Sequence, residues 1–185
     1  QNLVLKKIFL LAFIAFGITS IPAAQQVYVD SLKQELSKAK EDTNKVWILN
    51  NLGWYYQWSI PDTALFYFLE GLPLSQKLEF KNGERLILTG MGEALSAKGN
   101  YFQALQTQLK TLKVAESMND VRYIATANSR IGNVYFYSKD YTRALIYYYK
   151  YYDLAKLRED FFERSKVSIF TYIGETYYNL NILDS

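Results

Sequence analysis

The sequence predicts an all-α protein, an α-solenoid in which antiparallel helical hairpins stack side by side. Three observations predict this class. Two small-residue markers recur with one shared period of about 40 residues along the chain. Only 3 Pro and 9 Gly occur in 185 residues, which favours long helices over a β architecture with many turns. Half of the residues are hydrophobic, so a substantial core can be buried.

The first marker is a glycine that follows a large apolar residue and precedes a bulky residue three positions later. It occurs four times, at Gly53, Gly92, Gly132 and Gly174. The second marker is an alanine followed by leucine, and it occurs at Ala64, Ala104 and Ala144. Because two independent markers keep the same period, they indicate one repeating structural unit.

The two markers fit the crossing point of a helical hairpin. A residue with almost no side chain lets the first (A) helix approach the second (B) helix, and alanine serves on the B helix without the helix cost of glycine, about 1 kcal/mol. The predicted hairpins span 43–81, 82–120, 121–160 and 161–185, about 3.5 repeats of roughly 39–42 residues. Turn signals within hairpins lie at 59–62, 98–101, 138–141 and 180–181, and between hairpins at 81–83, 118–120 and 158–160.

Two local features accompany the hairpins. Pro73 falls inside the B helix of the first hairpin and is expected to kink or split it, because proline removes a backbone donor. Ahead of the hairpins, residues 25–42 predict a leading helix, with Tyr28, Leu32 and Leu36 at helical spacing and Asp30 as its cap. Such a helix is expected to cover the open end of the first hairpin.

The motif pattern resembles that of the tetratricopeptide repeat family. The first hairpin carries it as Leu49, Leu52, Gly53, Tyr56, Ala64 and Phe68, and the third as Ile131, Gly132, Tyr135, Ala144 and Tyr148. The second hairpin departs from it, with Gln108 where an aromatic residue is usual. The period also exceeds the usual repeat length of the family, about 34 residues, so longer helices or longer turns must absorb the excess. HEAT-like hairpins share this longer period and are the alternative fold, although the glycine and alanine pair favours the tetratricopeptide type.

Residues 1–24 are predicted to be a signal peptide. Lys6 and Lys7 precede an apolar run over 8–18, and small residues lead to an expected cleavage after Ala24. The alternative is a retained membrane anchor or a buried helix. Without the two lysines the formal net charge falls from +3 to +1, so the remaining chain has no electrostatic case for binding nucleic acid or an anionic membrane.

The resemblance implies that the A helices line a surface that holds a protein or peptide. The residues implied for that surface are Trp47, Asn50, Trp54, Gln57, Thr89, Glu93, Ser96, Ser129, Asn133, Phe136, Thr171, Glu175 and Tyr178. Lysines that would bind a terminal carboxylate are missing from these positions. An alternative for Trp47 and Trp54 is packing against the leading helix.

Catalysis, cofactors and metals are not expected. The sequence has no Cys and no His, which removes thiol and imidazole chemistry and most zinc sites. Glu93 and Glu175 lie two hairpins apart with no supporting catalytic group, so they do not suggest a hydrolytic pair. The tyrosines within 147–152 spread around one helix, which favours packing between hairpins over a stacking platform for a ligand.

The predicted function is therefore binding of a protein or peptide, not catalysis. An exported repeat array of this kind resembles the extracytoplasmic N-terminal regions of Bacteroidota-type sensor histidine kinases and related regulators. The opening residues 30–36 and 42–46 are similar to the way such proteins begin. The alternative is a stand-alone exported scaffold without an output domain. Since the last residues fall where a fourth B helix is expected to begin, we expect the chain to be part of a longer protein.

Overall fold

A computed structural model describes residues 23–183, which form eight α-helices and no strand. The helices are α1 Ala23–Leu36, α2 Thr43–Tyr56, α3 Pro61–Lys77, α4 Lys81–Ala97, α5 Tyr101–Ser117, α6 Val121–Tyr137, α7 Tyr141–Lys156 and α8 Glu159–Leu183. Two compact units divide at residue 38, so α1 is described by itself and α2–α8 form the array. The predicted signal peptide lies outside the described residues except for its last two, which begin α1. None of the helices described is long and apolar enough to cross a membrane.

The leading helix α1 is shorter at its end than predicted. It stops at Leu36 instead of residue 42, and Asp30 lies in its interior, where it accepts a hydrogen bond from Gln26 at 2.9 Å instead of capping the helix. Its buried residues are Val29 and Leu32, whereas Tyr28 is half exposed.

The helices α4 to α6 share one length and one kind of turn. Each has 17 residues, and a three-residue turn separates it from the next helix. In four successive turns one residue adopts a left-handed backbone, with φ of 52° at Glu79, 77° at Gly99, 51° at Asn119 and 64° at Lys139. This conformation ends a helix by letting the next N–H groups bond to its last carbonyls. The long repeat period therefore comes from long helices, not from long turns.

Two turns and one helix break expected from the sequence are not found at the predicted places. The first inter-hairpin turn lies at 78–80 instead of 81–83, because Glu79 closes α3 and the next helix starts at once. Pro73 does not split α3, which runs unbroken for 17 residues with the proline inside it. The expected turn at 180–181 is absent, since α8 continues for 25 residues to Leu183.

The array has an inner side made of A helices. From α2 onward each helix packs against the next in sequence, and in addition α2 contacts α4 and α4 contacts α6. The B helices α3, α5 and α7 do not pack against one another in this way. Since the A helices lie closer together than the B helices, the stack curves toward the A side. We call the surface formed by α2, α4, α6 and α8 the inner face.

The marker glycines hold the hairpins together. A Cβ at Gly53 would overlap the ring of Phe68, and one at Gly132 would overlap the ring of Tyr148. Both rings are essentially fully buried. In the second hairpin the equivalent contact is between Gly92 and the buried amide of Gln108, which donates to the Thr89 carbonyl at 3.1 Å. The marker alanines Ala64, Ala104 and Ala144 are all fully buried.

Gly174 differs from the other three. A Cβ there would meet no atom within 4 Å, so none of the described contacts requires glycine at this position. The sequence marker is the same, but the packing that explains it elsewhere is not present among the described residues.

This contrast gives a matched pair of variants. Gly132→Ala should destabilise the array by about 1–3 kcal/mol, because the added Cβ would overlap the buried Tyr148 ring and force it to move. Gly174→Ala should stabilise it by about 0.5–1 kcal/mol, because alanine is the better helix former where space is free. Urea denaturation followed by circular dichroism measures both changes. Equal effects of the two substitutions would contradict the packing account.

Candidate functional site

The inner face presents the residues at five positions of each hairpin, counted from the marker glycine as −6, −3, +1, +4 and +5. The sequence-predicted surface residues occupy the first four of these positions. Several of them are buried, with Asn50, Gln57, Ser129, Thr89, Ser96 and Glu93 all no more than 8% exposed. The exposed members lie toward the ends of the array, at Trp47, Thr171, Glu175 and Tyr178, while Trp54, Asn133 and Phe136 are half-buried. The buried members of the predicted surface are therefore structural, and only the exposed and half-buried members can contact a ligand.

The buried hydroxyls on this face are structural. Those of Thr89, Ser96 and Ser129 each donate a hydrogen bond to a carbonyl of their own helix at 2.8–2.9 Å. Because each hydroxyl already has an acceptor within its own helix, its hydrogen-bonding capacity is satisfied without a ligand.

All three tryptophans of the chain lie at inner-face positions of the first hairpin: Trp47, Trp54 and Trp58. Trp47 is 38% exposed and packs edge-on against Phe80, with ring centroids 5.7 Å apart. Trp54 packs against the core, and its indole N–H donates to Asn50 Oδ1 at 3.1 Å. Trp58, just beyond α2, is 58% exposed. The spacing of 7 and 4 positions places the three rings along one side of this hairpin.

A chain of polar contacts joins three successive A helices across the inner face. When the Gln57 amide is oriented with its nitrogen toward α4, that nitrogen donates to Glu93 Oε2 at 3.2 Å. The amide oxygen then accepts from the Trp58 indole N–H at 3.3 Å. Arg130 Nη1 on α6 lies 2.6 Å from Glu93 Oε1, a charge contact that lacks hydrogen-bond geometry. Burial raises the pKa of Glu93, and the positive charge of Arg130 opposes that rise.

Aromatic rings and an exposed carboxylate, that of Glu175, mark the other end of the inner face. The buried Tyr148 ring stacks on Tyr172 at 5.2 Å, and its hydroxyl donates to Asn133 Oδ1 at 2.9 Å. Tyr137 is 45% exposed. Burial raises the pKa of Tyr137, the negative charge of Glu93 raises it further, and the positive charge of Arg130 opposes the rise.

The tyrosine-rich helix α7 serves packing. Tyr148 and Tyr151 are at most 7% exposed, and Tyr147 stacks on Tyr135 with centroids 5.5 Å apart. Among the described residues no cluster of acidic side chains could hold a metal ion.

Three residues of this face were missed by the sequence prediction. Trp58 and Tyr137 both stand five positions after a marker glycine, and Arg130 stands two positions before one. Trp58 and Tyr137 could have been found from the sequence, because both are aromatic and stand at the same position of the repeat. Arg130 carries none, since its role depends on a contact with Glu93, which lies on the preceding A helix.

Comparison with known proteins supports the repeat. Residues 84–156 match the tetratricopeptide repeat family. No curated protein matches the sequence of the chain significantly.

Solved structures share the fold at low sequence identity. A Rap protein complexed with competence and sporulation factor matches with a TM-score of 0.73 at 16% identity, over 88% of this chain and 46% of that protein. BtubC from P. vanneervenii matches with a TM-score of 0.68 at 16% identity, over 86% of this chain and 66% of that protein. The apo form of RapI matches with a TM-score of 0.65 at 17% identity, over 88% of this chain and 44% of that protein. This chain therefore spans less than half of the two Rap proteins. The predicted fold class, an all-α solenoid of tetratricopeptide type, is confirmed.

The contact between Arg130 and Glu93 can be tested by stability. Arg130→Ala should cost about 2 kcal/mol near neutral pH, because it leaves a mostly buried carboxylate without its cation. The cost should shrink as the pH falls toward the unfolded pKa of 4.5, since Glu93 has a raised folded pKa and becomes neutral by taking up a proton.

The matched control is the double variant Arg130→Ala, Glu93→Gln. It should recover part of the loss at neutral pH, because glutamine carries no charge to bury. Urea unfolding at pH 7.5 and pH 5 reads out all variants. A loss in Arg130→Ala that is independent of pH, or a double variant no more stable than Arg130→Ala, would contradict the ion-pair account.

Proposed function

We propose that the inner face binds an extended peptide segment of a partner protein. The observation that carries this proposal is the row of three tryptophans on the inner face, two of them substantially exposed. The buried polar side chains of this face already make hydrogen bonds within the protein. Exposed aromatic rings on a rigid surface supply large contact area at a low cost in conformational entropy. The similarity to the Rap protein complexed with a factor supports a binding role for this fold.

The inner face suits an extended chain that runs across several A helices. Its polar side chains Asn50, Gln57 and Glu93 are buried and make contacts within the protein, so the exposed tryptophan rings supply the ligand contacts. Rigid arrays of this kind offer a long surface without a closed cavity, which suits peptides better than small molecules.

The experiment is to pan a displayed library of random dodecapeptides on the immobilised full chain and to titrate a selected peptide by intrinsic tryptophan fluorescence. All tryptophans of the chain lie on the proposed surface, so a bound peptide should change the emission directly. Trp58→Ala should weaken binding at least about fivefold, because exposed tryptophans at interfaces often contribute more than about 1 kcal/mol.

The control variant is Phe66→Ala, which removes a ring that is 62% exposed on the B helix α3. It should leave the affinity unchanged. Failure to select any peptide, or equal weakening by the two substitutions, would contradict binding at the inner face. Circular dichroism of both variants should match that of the native chain.

We also propose that the array is the extracytoplasmic sensory region of a larger signal-transduction protein. Support comes from the signal-peptide layout of residues 1–24 and from the resemblance of the opening residues to sensor regulators. The competing proposal is a stand-alone exported scaffold. In the gene, a membrane span followed by a histidine-containing helix after residue 185 would favour the sensor, and a stop codon would favour the scaffold.

Export itself can be tested with a reporter enzyme that needs disulfides to be active. Fused after residue 40, the reporter should be active in bacteria, because disulfides form outside the cytoplasm. Replacing Leu10 and Phe13 with arginine should abolish that activity by breaking the apolar run. Equal activity of the two fusions would contradict export by this segment.

A further inference from the structure

Arg85 on α4 is a buried cation without a counterion in the part of the chain that the structure describes. The residue is only 9% exposed, and it forms no ion pair within residues 23–183. Its Nη2 donates to Asn82 Oδ1 at 2.9 Å, and its buried Nε has no acceptor. Burial lowers the pKa of the Arg85 guanidinium. A charge taken out of water is costly unless an opposite charge lies beside it, so an anion supplied by a ligand would remove this cost.

The carboxylate that acts on Arg85 electrostatically, that of Asp120, is already bound by Arg122. Asp120 Oδ1 accepts from Arg122 Nε at 3.0 Å, and Oδ2 accepts from Nη2 at 2.5 Å. Oδ1 also accepts from the backbone N–H of Arg122 at 2.9 Å. The hydrogen bonds from Arg122 lower the pKa of Asp120 to about 2, so this carboxylate stays charged and paired. Two cations and one anion leave this group with a net charge of +1.

The ring of Tyr123 brings the two arginines together. The guanidinium carbon of Arg85 lies 4.1 Å from the centre of this ring, and that of Arg122 lies 5.8 Å from the same centre. Arg85 belongs to α4 and Arg122 to α6, two A helices that contact each other inside the array, with α7 and α8 following. The Nη1 atoms of both arginines have no acceptor among the described residues. Two guanidinium groups beside one ring therefore still have hydrogen-bond donors to offer.

Both arginines lie on the inner face, ahead of the five positions defined above. Arg85 stands four residues before Thr89, and Arg122 stands seven residues before Ser129, which places each on the same side of its helix as that inner-face residue. Trp47 stands at the same level of α2, six residues before its marker glycine, where Arg85 stands seven before its own. Since α2 contacts α4, a ligand that crosses from α2 to α6 meets an exposed ring first and the two cations next.

We propose that Arg85 and Arg122 bind a carboxylate side chain, that of aspartate or glutamate, of the peptide ligand. This inference rests on the proposed peptide-binding function and names the class of peptide. Arginine suits this task because its planar guanidinium can donate to both oxygens of a carboxylate. Packed helices lie about 8–10 Å apart and an extended chain advances about 3.3 Å per residue, so the acidic residue should stand about three positions from an apolar residue that contacts Trp47.

The first test changes only the peptide. Among dodecapeptides selected on the full chain from a displayed random library, aspartate and glutamate should be enriched about three positions from an aromatic or aliphatic residue. A selected peptide with one acidic residue is synthesised with both ends blocked, so that this side chain is its only carboxylate, and is titrated by tryptophan fluorescence. Replacing the acidic residue by its amide should weaken binding at least about fivefold, because hydrogen bonds between charged groups are stronger than neutral ones.

The second test adds Arg85→Met to the chain. This variant should bind the acidic peptide at least about fivefold more weakly and the amide peptide as the native chain does, because the two changes remove the same contact. Methionine replaces a buried charge by an apolar side chain of similar length, so the urea midpoint of the free chain should not fall. The matched control Lys110→Met removes a cation from an exposed position of the B helix α5 and should leave the affinity for both peptides unchanged.

Equal weakening of both peptides by Arg85→Met, or a lower urea midpoint with unchanged affinity, would overturn this inference and assign Arg85 to packing alone. Selected peptides without acidic enrichment, or a blocked peptide that binds only when its C-terminal carboxylate is freed, would overturn it as well. All of these outcomes leave peptide binding intact. If Arg85→Met does not fold, the comparison of the acidic and amide peptides on the native chain decides alone. A library that yields no binders defeats the proposed function, and this inference with it.

Discussion

The close approach of A and B helices at the marker glycines is the constraint on which the array depends. At Gly53 and Gly132 an aromatic ring from the B helix fills the space that a side chain would need, and at Gly92 a buried amide does so. The Phe68 ring is held between two glycines, because Gly90 on the next A helix also makes room for it. One ring therefore fixes both the hairpin and its neighbour, and this sets the spacing of the inner face.

That spacing decides which side chains can meet across helices. Gln57, Glu93 and Arg130 come from three different hairpins and join only because the helices stack in register. The same stacking buries hydroxyls and amides that look like ligand contacts in the sequence. What remains open is a row of aromatic rings on the first hairpin. A fold held by small residues at the helix crossings thus presents exposed aromatic side chains on its inner face.

The sequence predicted the repeat and the fold class because small residues at fixed intervals report directly on helix crossings. It misplaced the first turn between hairpins, because Glu79 adopts a left-handed backbone that its identity does not favour. Asn50 and Gln57 were predicted to contact ligand, yet they are buried by neighbouring helices, since polarity alone says nothing about burial between A helices. Contacts between residues distant in the sequence, such as the one made by Arg130, follow only from the assembled stack.

The central claim is that the A helices, and not the B helices, form the binding surface. Hydrogen exchange of the full chain with and without a saturating selected peptide tests it most directly. We predict slower exchange on binding in α2, α4, α6 and α8, including the segment around Trp58, with α3, α5 and α7 unchanged. Slower exchange confined to α3, α5 and α7 would contradict the claim.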